Sequence, residues 1–289
     1  MNDPYYFKCR GCDSTSFKLI TYIKSKWPLS RCNSCNTVQI QKKPSTKELE
    51  KIYSDSYFSK GKYGNDFAGK KEQERRLEFM RRAGIKNGSK VLDFGMATGE
   101  FISVMRDSYD VWGIDRSKDA VDVAKRAFPE LSDRLFSGAI DNLAFPEGYF
   151  DAIVLWDVIE HLDAPKETLS QLKRLLVHDG YLFISTPNYG TLTAKLMGKR
   201  WHFMTPPEHL VFYDQASLIK MCSYIGMTMQ QWMTKGKWVN LGFLLYKLRR
   251  VMPAIMPQKL QMVISKSVIG RWCLYVPTGD IQYLAVKSK

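Results

Sequence analysis

The chain has 289 residues, of which 45% are apolar and 25% are charged, a composition typical of a globular protein with a large core. No uninterrupted apolar run approaches the ~20 residues that a membrane-spanning helix needs, and the polar residues 1–4 do not resemble a signal peptide. These features predict a cytoplasmic protein with one large domain and an accessory module.

The net charge of +14 is unevenly distributed along the chain. Residues 215–279 contain nine lysines and arginines but no aspartate or glutamate. Such a basic stretch favours a phosphate-bearing partner, which could be a nucleotide-linked substrate, a lipid headgroup or nucleic acid. The alternative is a solvated basic face that has no partner.

Four cysteines near the amino terminus have the spacing of a metal site. Residues 1–43 contain two C-x2-C pairs with 19 residues between them, formed by Cys9, Cys12, Cys32 and Cys35. Two such pairs on tight turns can complete a tetrahedral zinc site without an open position, so we expect a structural zinc ribbon. Disulfides are the competing interpretation, which a cytosolic location disfavours. Cys222 and Cys273 have no partners at ligand spacing and are expected to be small buried residues.

The segment 44–84 is predicted to connect the ribbon to the larger domain. Ser45 or Thr46 is placed to cap a helix whose first turn is acidic. Residues 56–64 are rich in aromatic residues and are expected to form a loop, and a long charged helix is predicted around residues 67–83. We expect this segment to form lid helices with a Tyr-rich loop.

A glycine turn after an apolar strand is the most informative feature of the next segment. The order Asp93-x-Gly95-x-Ala97-x-Gly99 ends a strand, and a helix start there would offer free backbone N–H groups to a ligand. Asp115 follows at the distance where a βαβ unit places a carboxylate on ribose hydroxyls. The order differs from the dinucleotide fingerprint G-x-G-x-x-G, and Asp93 suits an ammonium-bearing cofactor better than phosphates. A purely structural turn is the alternative.

This turn resembles motif I of class I S-adenosylmethionine-dependent methyltransferases, in which glycine usually stands at the position of Ala97. The later motifs follow in order at residues 111–115, 137–146, 150–157 and 175–188. The resemblance covers roughly residues 65–230 and implies a Rossmann-like α/β sheet with helices on both faces, in a domain at 85–289. It also implies S-adenosylmethionine as the cofactor, bound by Asp93, Phe94, Gly95, Ala97, Gly99, Asp115, Arg116, Ile140, Asp141 and Trp156.

Two of the four histidines are candidates for catalysis. Open α/β sheets bind ligands outside the carboxyl ends of their strands, so His161 should face the transferred methyl group. His209 lies in a Glu208-His209 pair that two prolines precede. An imidazole can take the proton of an alcohol acceptor during an in-line displacement. The alternative for both is a structural or helix-capping role, while we expect His178 at the surface and His202 at the border of the substrate.

The ribbon, the capped helix and the Tyr-Phe loop together resemble the amino-terminal part of bacterial sugar methyltransferases, including the ketosugar C-methyltransferases. The resemblance implies that the loop closes over the substrate with Tyr57 and Tyr63, for which simple packing is the alternative. It also implies catalytic roles for Glu208 and for His209 as base, with His161 as a second active-site histidine. Those enzymes carry an additional carboxyl-terminal domain that we do not expect here, which favours O-methylation over C-methylation.

The basic stretch is expected to form an insertion at about residues 235–275. Residues 238–250 are apolar and aromatic and end in cations, so we expect a helix that either covers the active site or rests on an anionic membrane surface. Peripheral contact with the inner membrane surface would then involve residues 238–275. Residues 280–287 alternate like a final antiparallel strand.

These features lead to O-methylation of a sugar hydroxyl on a nucleotide-linked sugar or glycan, in polysaccharide or secondary metabolite biosynthesis, with a histidine base. RNA methylation is an alternative, because ribosomal RNA methyltransferases can also join a zinc ribbon to this fold. However, the N-P-P-Y motif of amino-group methyltransferases is absent, and no motif cysteine can serve as a pyrimidine nucleophile. Nucleic acid is therefore the less favoured partner.

Two further hypotheses remain open. The motifs after residues 150–157 also resemble the quinone-biosynthesis methyltransferases, so a quinone or polyketide phenol is another acceptor class. A catalytically inactive cofactor-binding scaffold is the third hypothesis, and Ala97 is the motif departure that supports it. The sequence does not define the acceptor, the methylated position or the oligomeric state.

Overall fold

The computed structural model describes residues 5–45, 48, 67–140, 145–251 and 257–288. Tyr57, Tyr63 and Asp141, which the sequence singles out, lie outside these residues. The described strands form two sheets, one with four strands and one with seven. Among the described residues, no helix is long and apolar enough to cross a lipid bilayer.

The smaller sheet belongs mainly to the amino-terminal module. Its strands are β1 (Phe17–Ile23), β2 (Trp27–Cys32), β3 (Val38–Ile40) and β9 (Val211–Phe212). The order is β1-β2-β3-β9, and every neighbouring pair is antiparallel. Because β9 comes from the larger domain, this sheet joins the two parts of the chain through backbone hydrogen bonds.

The larger sheet contains β4 (Lys90–Phe94), β5 (Asp110–Asp115), β6 (Leu135–Ser137), β7 (Phe150–Trp156), β8 (Leu176–Pro187), β10 (Met227–Asn240) and β11 (Cys273–Ser288). The strand order is β10-β11-β8-β7-β4-β5-β6. The pairs from β8 to β6 are parallel, whereas β11 is antiparallel to both of its neighbours.

Helices cover both faces of this sheet. Successive side chains of a strand point to opposite faces, and the central strands are apolar at nearly every position, so both faces must be buried. One face packs against α1 (Phe67–Arg82), α2 (Ile102–Met105) and α3 (Lys118–Ala127). The opposite face packs against α4 (Pro165–Leu175) and α6 (Gln215–Tyr224), and the short helix α5 (Leu192–Met197) follows β8. The predicted Rossmann-like α/β fold with helices on both faces is confirmed.

The predicted insertion at about residues 235–275 comprises the end of β10, the connection that follows it and the start of β11. It contains α7 (Leu241–Val251) and α8 (Gln258–Lys266), which connect β10 to β11. The predicted helix at residues 238–250 was placed to begin too early, because Trp238 and Val239 still pair with β11 as part of β10. Aromatic and β-branched residues suit such a paired ribbon, and the helix begins only at Leu241.

The amino-terminal module shares its apolar core with the larger domain. Trp27, Leu29 and Ile40 of the module are fully buried against residues that follow β8, namely Ala194, Trp201, Met204 and Phe212. The module is therefore fixed to the segment 198–212, which has little regular secondary structure of its own.

Candidate active site

The turn after β4 has a backbone that requires small residues. Gly95, Ala97 and Gly99 have positive φ angles of 85°, 50° and 88°. A Cβ atom on Gly95 would lie 2.4 Å from Cγ2 of Val158, and one on Gly99 would lie 2.7 Å from the ring of Phe128. Glycine at position 95 thus permits close contact between this turn and the loop that follows β7.

Two predicted acids flank this turn. Asp115, at the end of β5, accepts hydrogen bonds from the backbone N–H groups of Ala97, at 2.9 Å, and Ser117, at 2.8 Å. Its carboxylate therefore holds the turn against the start of α3. Burial raises the pKa of Asp115 above its usual range.

Asp93 is the more unusual of the two acids, because its side chain is 2% exposed. Its Oδ2 atom has no hydrogen-bond partner among the described residues. Burial raises the pKa of Asp93 to about 8, against an opposing effect from the nearby Arg76. A buried carboxylate oxygen without a partner suits a ligand that brings a positive charge.

Arg76, on α1, is a site residue that the sequence did not indicate. Its Nη2 atom donates to Oδ2 of Asp157 at 2.7 Å, and its guanidinium lies 5.6 Å from the ring centre of Trp156. The Nε atom is buried and has no hydrogen-bond partner among the described residues. Oε1 of Glu72 lies 3.9 Å from this Nε, an ion pair beyond hydrogen-bond distance, so the hydrogen bond of Nε remains for a carboxylate ligand.

The other predicted cofactor residues lie on different sides of the sheet. Phe94 and Ile140 pack into the core on the face of α4 and α6. Trp156 packs into the opposite core with its ring 5.4 Å from that of Phe101, and Arg116 is exposed. The structure thus brings the two predicted acids and the glycine turn together, with Arg76 and Trp156 beside them.

The loop after β7 carries one of the two candidate histidines. His161 ends a short 3₁₀ turn, and its Nδ1 atom lies 2.7 Å from the backbone carbonyl oxygen of Glu208. A carbonyl oxygen only accepts, so Nδ1 carries a proton, and in the neutral ring the lone pair is on Nε2. The ring of His209 lies 4.8 Å from that of His161 in an edge-to-face arrangement. The two predicted histidines are therefore neighbours.

The carboxylate grouped with these histidines is Glu160, which the sequence analysis did not select. It is 1% exposed, and its Oε2 atom accepts a hydrogen bond from Thr186 at 2.9 Å. Glu160, His161 and His209 each offer a ligand atom, and these atoms lie within 4.8 Å of one another. Such a group can exchange protons or hold a divalent cation. The predicted Glu208 contributes only its backbone carbonyl, which bonds to His161. The sequence signal that could have indicated Glu160 is its position directly before His161, in the order D-x-x-E-H of residues 157–161.

The remaining histidines lie outside this group. His202 has its Nε2 atom 3.9 Å from the buried Asp280, and its ring centre lies 4.1 Å from that of Phe203 with the two rings tilted by 43°. His178 is 82% exposed beside Asp179. The exposed His178 agrees with the prediction of a surface residue and provides a control position for experiments.

The four amino-terminal cysteines converge at the base of the ribbon. The Sγ atoms of Cys9 and Cys35 are 3.5 Å apart, those of Cys12 and Cys32 are 3.6 Å apart, and all four lie within 4.8 Å of one another. A zinc ion with tetrahedral Zn–S bonds separates its sulfurs by about 3.8 Å, so the thiols fit such an ion. Burial raises the pKa of Cys12 to about 11, and a bound cation would offset this by stabilising the thiolate.

Comparisons with known proteins match the larger domain. A family model described as a methyltransferase domain matches residues 68–231. The ubiquinone biosynthesis O-methyltransferase of Haemophilus ducreyi is 31% identical over 155 residues, which cover 45% of this chain and 65% of that protein. The mitochondrial enzyme of the same name from Schizosaccharomyces pombe is 32% identical over 132 residues, which cover 42% and 47%. The chain therefore spans less than two thirds of the length of these curated relatives.

Solved structures show the same fold at lower identity. One is a chain from the complex between the Haloferax volcanii Trm112 methyltransferase activator and a methyltransferase. It matches with a TM-score of 0.56 and 16% identity, over 83% of this chain and 97% of that one. The [4+2]-cyclase SpnF matches with a TM-score of 0.51 and 17% identity, over 76% and 81%. Similarity at this level shows the fold alone.

We expect the purified chain to contain about one zinc ion, because the four thiols complete a closed tetrahedral site. Replacing one ligand with Cys12→Ser should remove the zinc and lower the thermal unfolding temperature, since metal binding contributes to folding stability. Elemental analysis by mass spectrometry measures the metal content. Cys273→Ser, at the start of β11, is the matched control and should keep the zinc. Equal zinc content in both variants would contradict the assignment.

Proposed function

The chain belongs to the methyltransferase-domain family, and we propose that it transfers the methyl group of S-adenosylmethionine to a hydroxyl oxygen. The favoured acceptor is a phenol of the kind found in quinone precursors. One observation carries this proposal: the loop after β7 joins the buried charges around the glycine turn to the Glu160-His161-His209 group. The contact of Val158 with Gly95 lies at the centre of that loop.

The residues around the glycine turn fit the charges of S-adenosylmethionine. Asp93 offers a buried carboxylate oxygen to the ammonium group, and Arg76 offers a buried guanidinium donor to the carboxylate. Asp115 ends β5 where a ribose would be recognised. When bound, the cofactor supplies an electrophilic methyl group on a sulfonium and leaves as a neutral thioether.

The histidines provide a place for the proton of the acceptor. As the new O–CH3 bond forms and the S–CH3 bond breaks, the hydroxyl loses its proton to an imidazole. We assign this role to His209, with His161 as the second choice. Both imidazoles adjoin the buried Glu160, and the ionised form of this carboxyl stabilises an imidazolium.

Aromatic neighbours of His209 favour a phenolic acceptor. The rings of Phe203 and Phe212 lie 6.2 Å and 6.4 Å from the imidazole, and that of Phe203 is nearly parallel to it. The partly exposed ring of Phe203 can pack against a flat acceptor, whereas Phe212 lies in the core shared with the ribbon and supports the imidazole from behind. A phenol also has a pKa of about 10, so an imidazole removes its proton more readily than that of an aliphatic alcohol. The curated relatives, by name, are O-methyltransferases of ubiquinone biosynthesis.

A sugar hydroxyl is the second candidate, and one observation favours it. The cysteine ribbon and the Glu208-His209 pair carry the resemblance to sugar methyltransferases, and strand β3 of the ribbon pairs with β9, which follows this Glu-His pair. The ribbon also lies outside the segment matched by the family model. The basic residues between β10 and β11 would then accommodate a diphosphate.

An acceptor panel distinguishes these candidates. The protein is incubated with S-adenosylmethionine and catechols, hydroquinones, nucleotide sugars, glycans or RNA, and release of S-adenosylhomocysteine is measured. We expect turnover with the phenols. Turnover with nucleotide sugars alone would contradict the phenol and support the sugar hydroxyl as acceptor. Turnover with RNA alone would contradict both acceptor classes.

Replacing the proposed base should separate binding from catalysis. We expect His209→Ala to lower kcat by about 10²–10⁴-fold, the usual effect of losing a general base, without weakening cofactor binding. His178→Ala, at the exposed histidine, is the control and should retain full activity. Unchanged kcat in the His209 variant would exclude the role of this residue as base. Activity that instead requires an added divalent cation would assign the group to cation binding.

The raised pKa of Asp93 predicts a pH-dependent affinity for S-adenosylhomocysteine. The carboxyl is largely protonated below its pKa of about 8, and a ligand ammonium stabilises the ionised form, so binding must release a proton there. Affinity should therefore rise between pH 5.5 and 7.5, by about tenfold per pH unit at most. Calorimetry in buffers of different ionisation enthalpy measures the released proton. The dependence should vanish in Asp93→Asn and persist in the exposed control Asp107→Asn. A flat profile in the unmodified protein would contradict this prediction.

Arg76 should recognise the carboxylate of the cofactor. We expect Arg76→Leu to weaken S-adenosylhomocysteine binding by about 10–100-fold, because a charge-assisted hydrogen bond contributes about 1.5–3 kcal/mol. Binding of 5′-methylthioadenosine, which lacks the amino acid group, should change little. Arg81→Leu, at an exposed position on the same helix, is the matched control. Equal losses for both ligands in the folded Arg76 variant would show that this residue supports the site only structurally.

A further inference from the structure

Arg10 links the cysteine ribbon to the larger domain. It lies between Cys9 and Cys12 on the first knuckle, and the whole residue is only 6% exposed. Its backbone N–H donates to the side-chain oxygen of Gln39 at 2.9 Å. Its guanidinium lies 3.5 Å from the ring centre of Tyr6, which covers it from one side.

The guanidinium bonds to two backbone carbonyls from distant parts of the chain. Nη1 donates to the carbonyl oxygen of Ile40 at 2.8 Å, and Nε donates to that of Asp163 at 3.1 Å. The Asp163 carboxylate is 3.7 Å away, but its side chain is 62% exposed, so solvent screens this ion pair. The two carbonyl bonds therefore define the geometry of this contact.

One of these carbonyls follows His161 in sequence, and the other belongs to a ribbon residue that is hydrogen-bonded to the segment of His209. The N–H of Ile40 donates to the carbonyl of Leu210, which directly follows His209, at 2.8 Å. The N–H of Leu210 in turn donates to the carbonyl of Glu160 at 2.8 Å. Asp163 comes two residues after His161. Arg10 thus contacts the segment after His161 directly and reaches the segment of His209 through the backbone of Ile40.

A guanidinium suits this role because its donors are fixed in one plane. Nε and Nη1 point in set directions, so the two carbonyls are held at a defined separation. A lysine ammonium is a point charge on a flexible stem and imposes no such separation. The buried position adds to the constraint, since a buried cation without its partners is strongly destabilising.

We propose that Arg10 is a positioning residue for the His161-His209 pair, so that the ribbon serves the reaction as well as the fold. The proposal rests on the proposed function for the role of these histidines. The cysteine knuckle holds Arg10, and Arg10 bonds to the backbone of Ile40 and Asp163. Ile40 in turn bonds to Leu210 beside His209, and Asp163 follows His161 by two residues. Arg10 touches no expected ligand atom and acts only through the histidines.

The test compares Arg10→Gln with Arg31→Gln in the full chain. Arg31 is on β2 of the same ribbon, where its guanidinium donates to the carbonyl of Asn36 in an exposed hydrogen bond. The four histidines, labelled with carbon-13, give separate ring signals in NMR spectra. In Arg10→Gln we expect the signals of the His161 and His209 rings to shift. Those of His178 and His202 should stay, and Arg31→Gln should move none of the four.

Kinetics provide a second measurement. We expect Arg10→Gln to lower kcat at least tenfold while the Kd for S-adenosylhomocysteine stays within twofold and the zinc content is unchanged. Arg10→Lys keeps the charge but loses the planar donors, so it should behave like Arg10→Gln. A Lys variant that matches the unmodified protein would overturn the proposal, because charge alone would then suffice.

Other outcomes are equally decisive. Unchanged signals for both rings in Arg10→Gln, with unchanged kcat, would overturn the positioning role. Shifts of all four histidines together with loss of zinc would show that Arg10 only maintains the ribbon, which also overturns it. Selective shifts in a protein that methylates no hydroxyl acceptor would support the positioning of the rings and refute the proposed function instead.

Discussion

The close approach of Gly95 to Val158 is the contact on which the candidate site depends. A Cβ atom at position 95 would lie 2.4 Å from Val158, so only glycine lets the turn after β4 meet the loop after β7. That loop carries Asp157 toward Arg76 and then Glu160 and His161 toward His209. Because the two segments touch, the residues suited to a methyl donor and those suited to an acceptor proton share one edge of the sheet. This is the edge where parallel α/β sheets bind their ligands.

The charges at this edge match those of a zwitterionic cofactor. Asp93 and Arg76 each keep a buried polar atom without a hydrogen-bond partner among the described residues. Burial raises the pKa of Asp93 to about 8, so the carboxyl resists ionisation until a positive charge arrives. An ammonium and a carboxylate on one ligand would satisfy both residues together. Buried polar atoms of this kind are costly in a purely structural region, so their presence favours a binding role for the turn.

The sequence predicted the features that depend on local patterns. The glycine turn, the apolar strands and the paired cysteines each occupy a short segment, and their spacing determines their structure. It did not indicate Arg76, because several arginines share the charged helix α1 and only the fold brings one of them to Asp157. It selected Glu208 because that residue adjoins His209 in sequence, whereas the buried carboxylate beside the histidines is Glu160. It extended a helix back to Trp238, where pairing with the distant Tyr275 keeps the chain in a strand.

The fold alone does not determine the chemistry, since a cyclase shares it. What is particular to this chain is how the segment before β9 is held. That segment has little regular structure, so its backbone groups need partners elsewhere. Leu210 finds one partner in Glu160 and another in Ile40 of the ribbon, and β9 itself pairs with β3. Under the proposed function, the residues for the methyl donor are thus placed by the larger sheet, while the residues directly after His209 are held by the amino-terminal module. Acceptor specificity should therefore vary with this module more than with the glycine turn, even among proteins with the same methyltransferase domain.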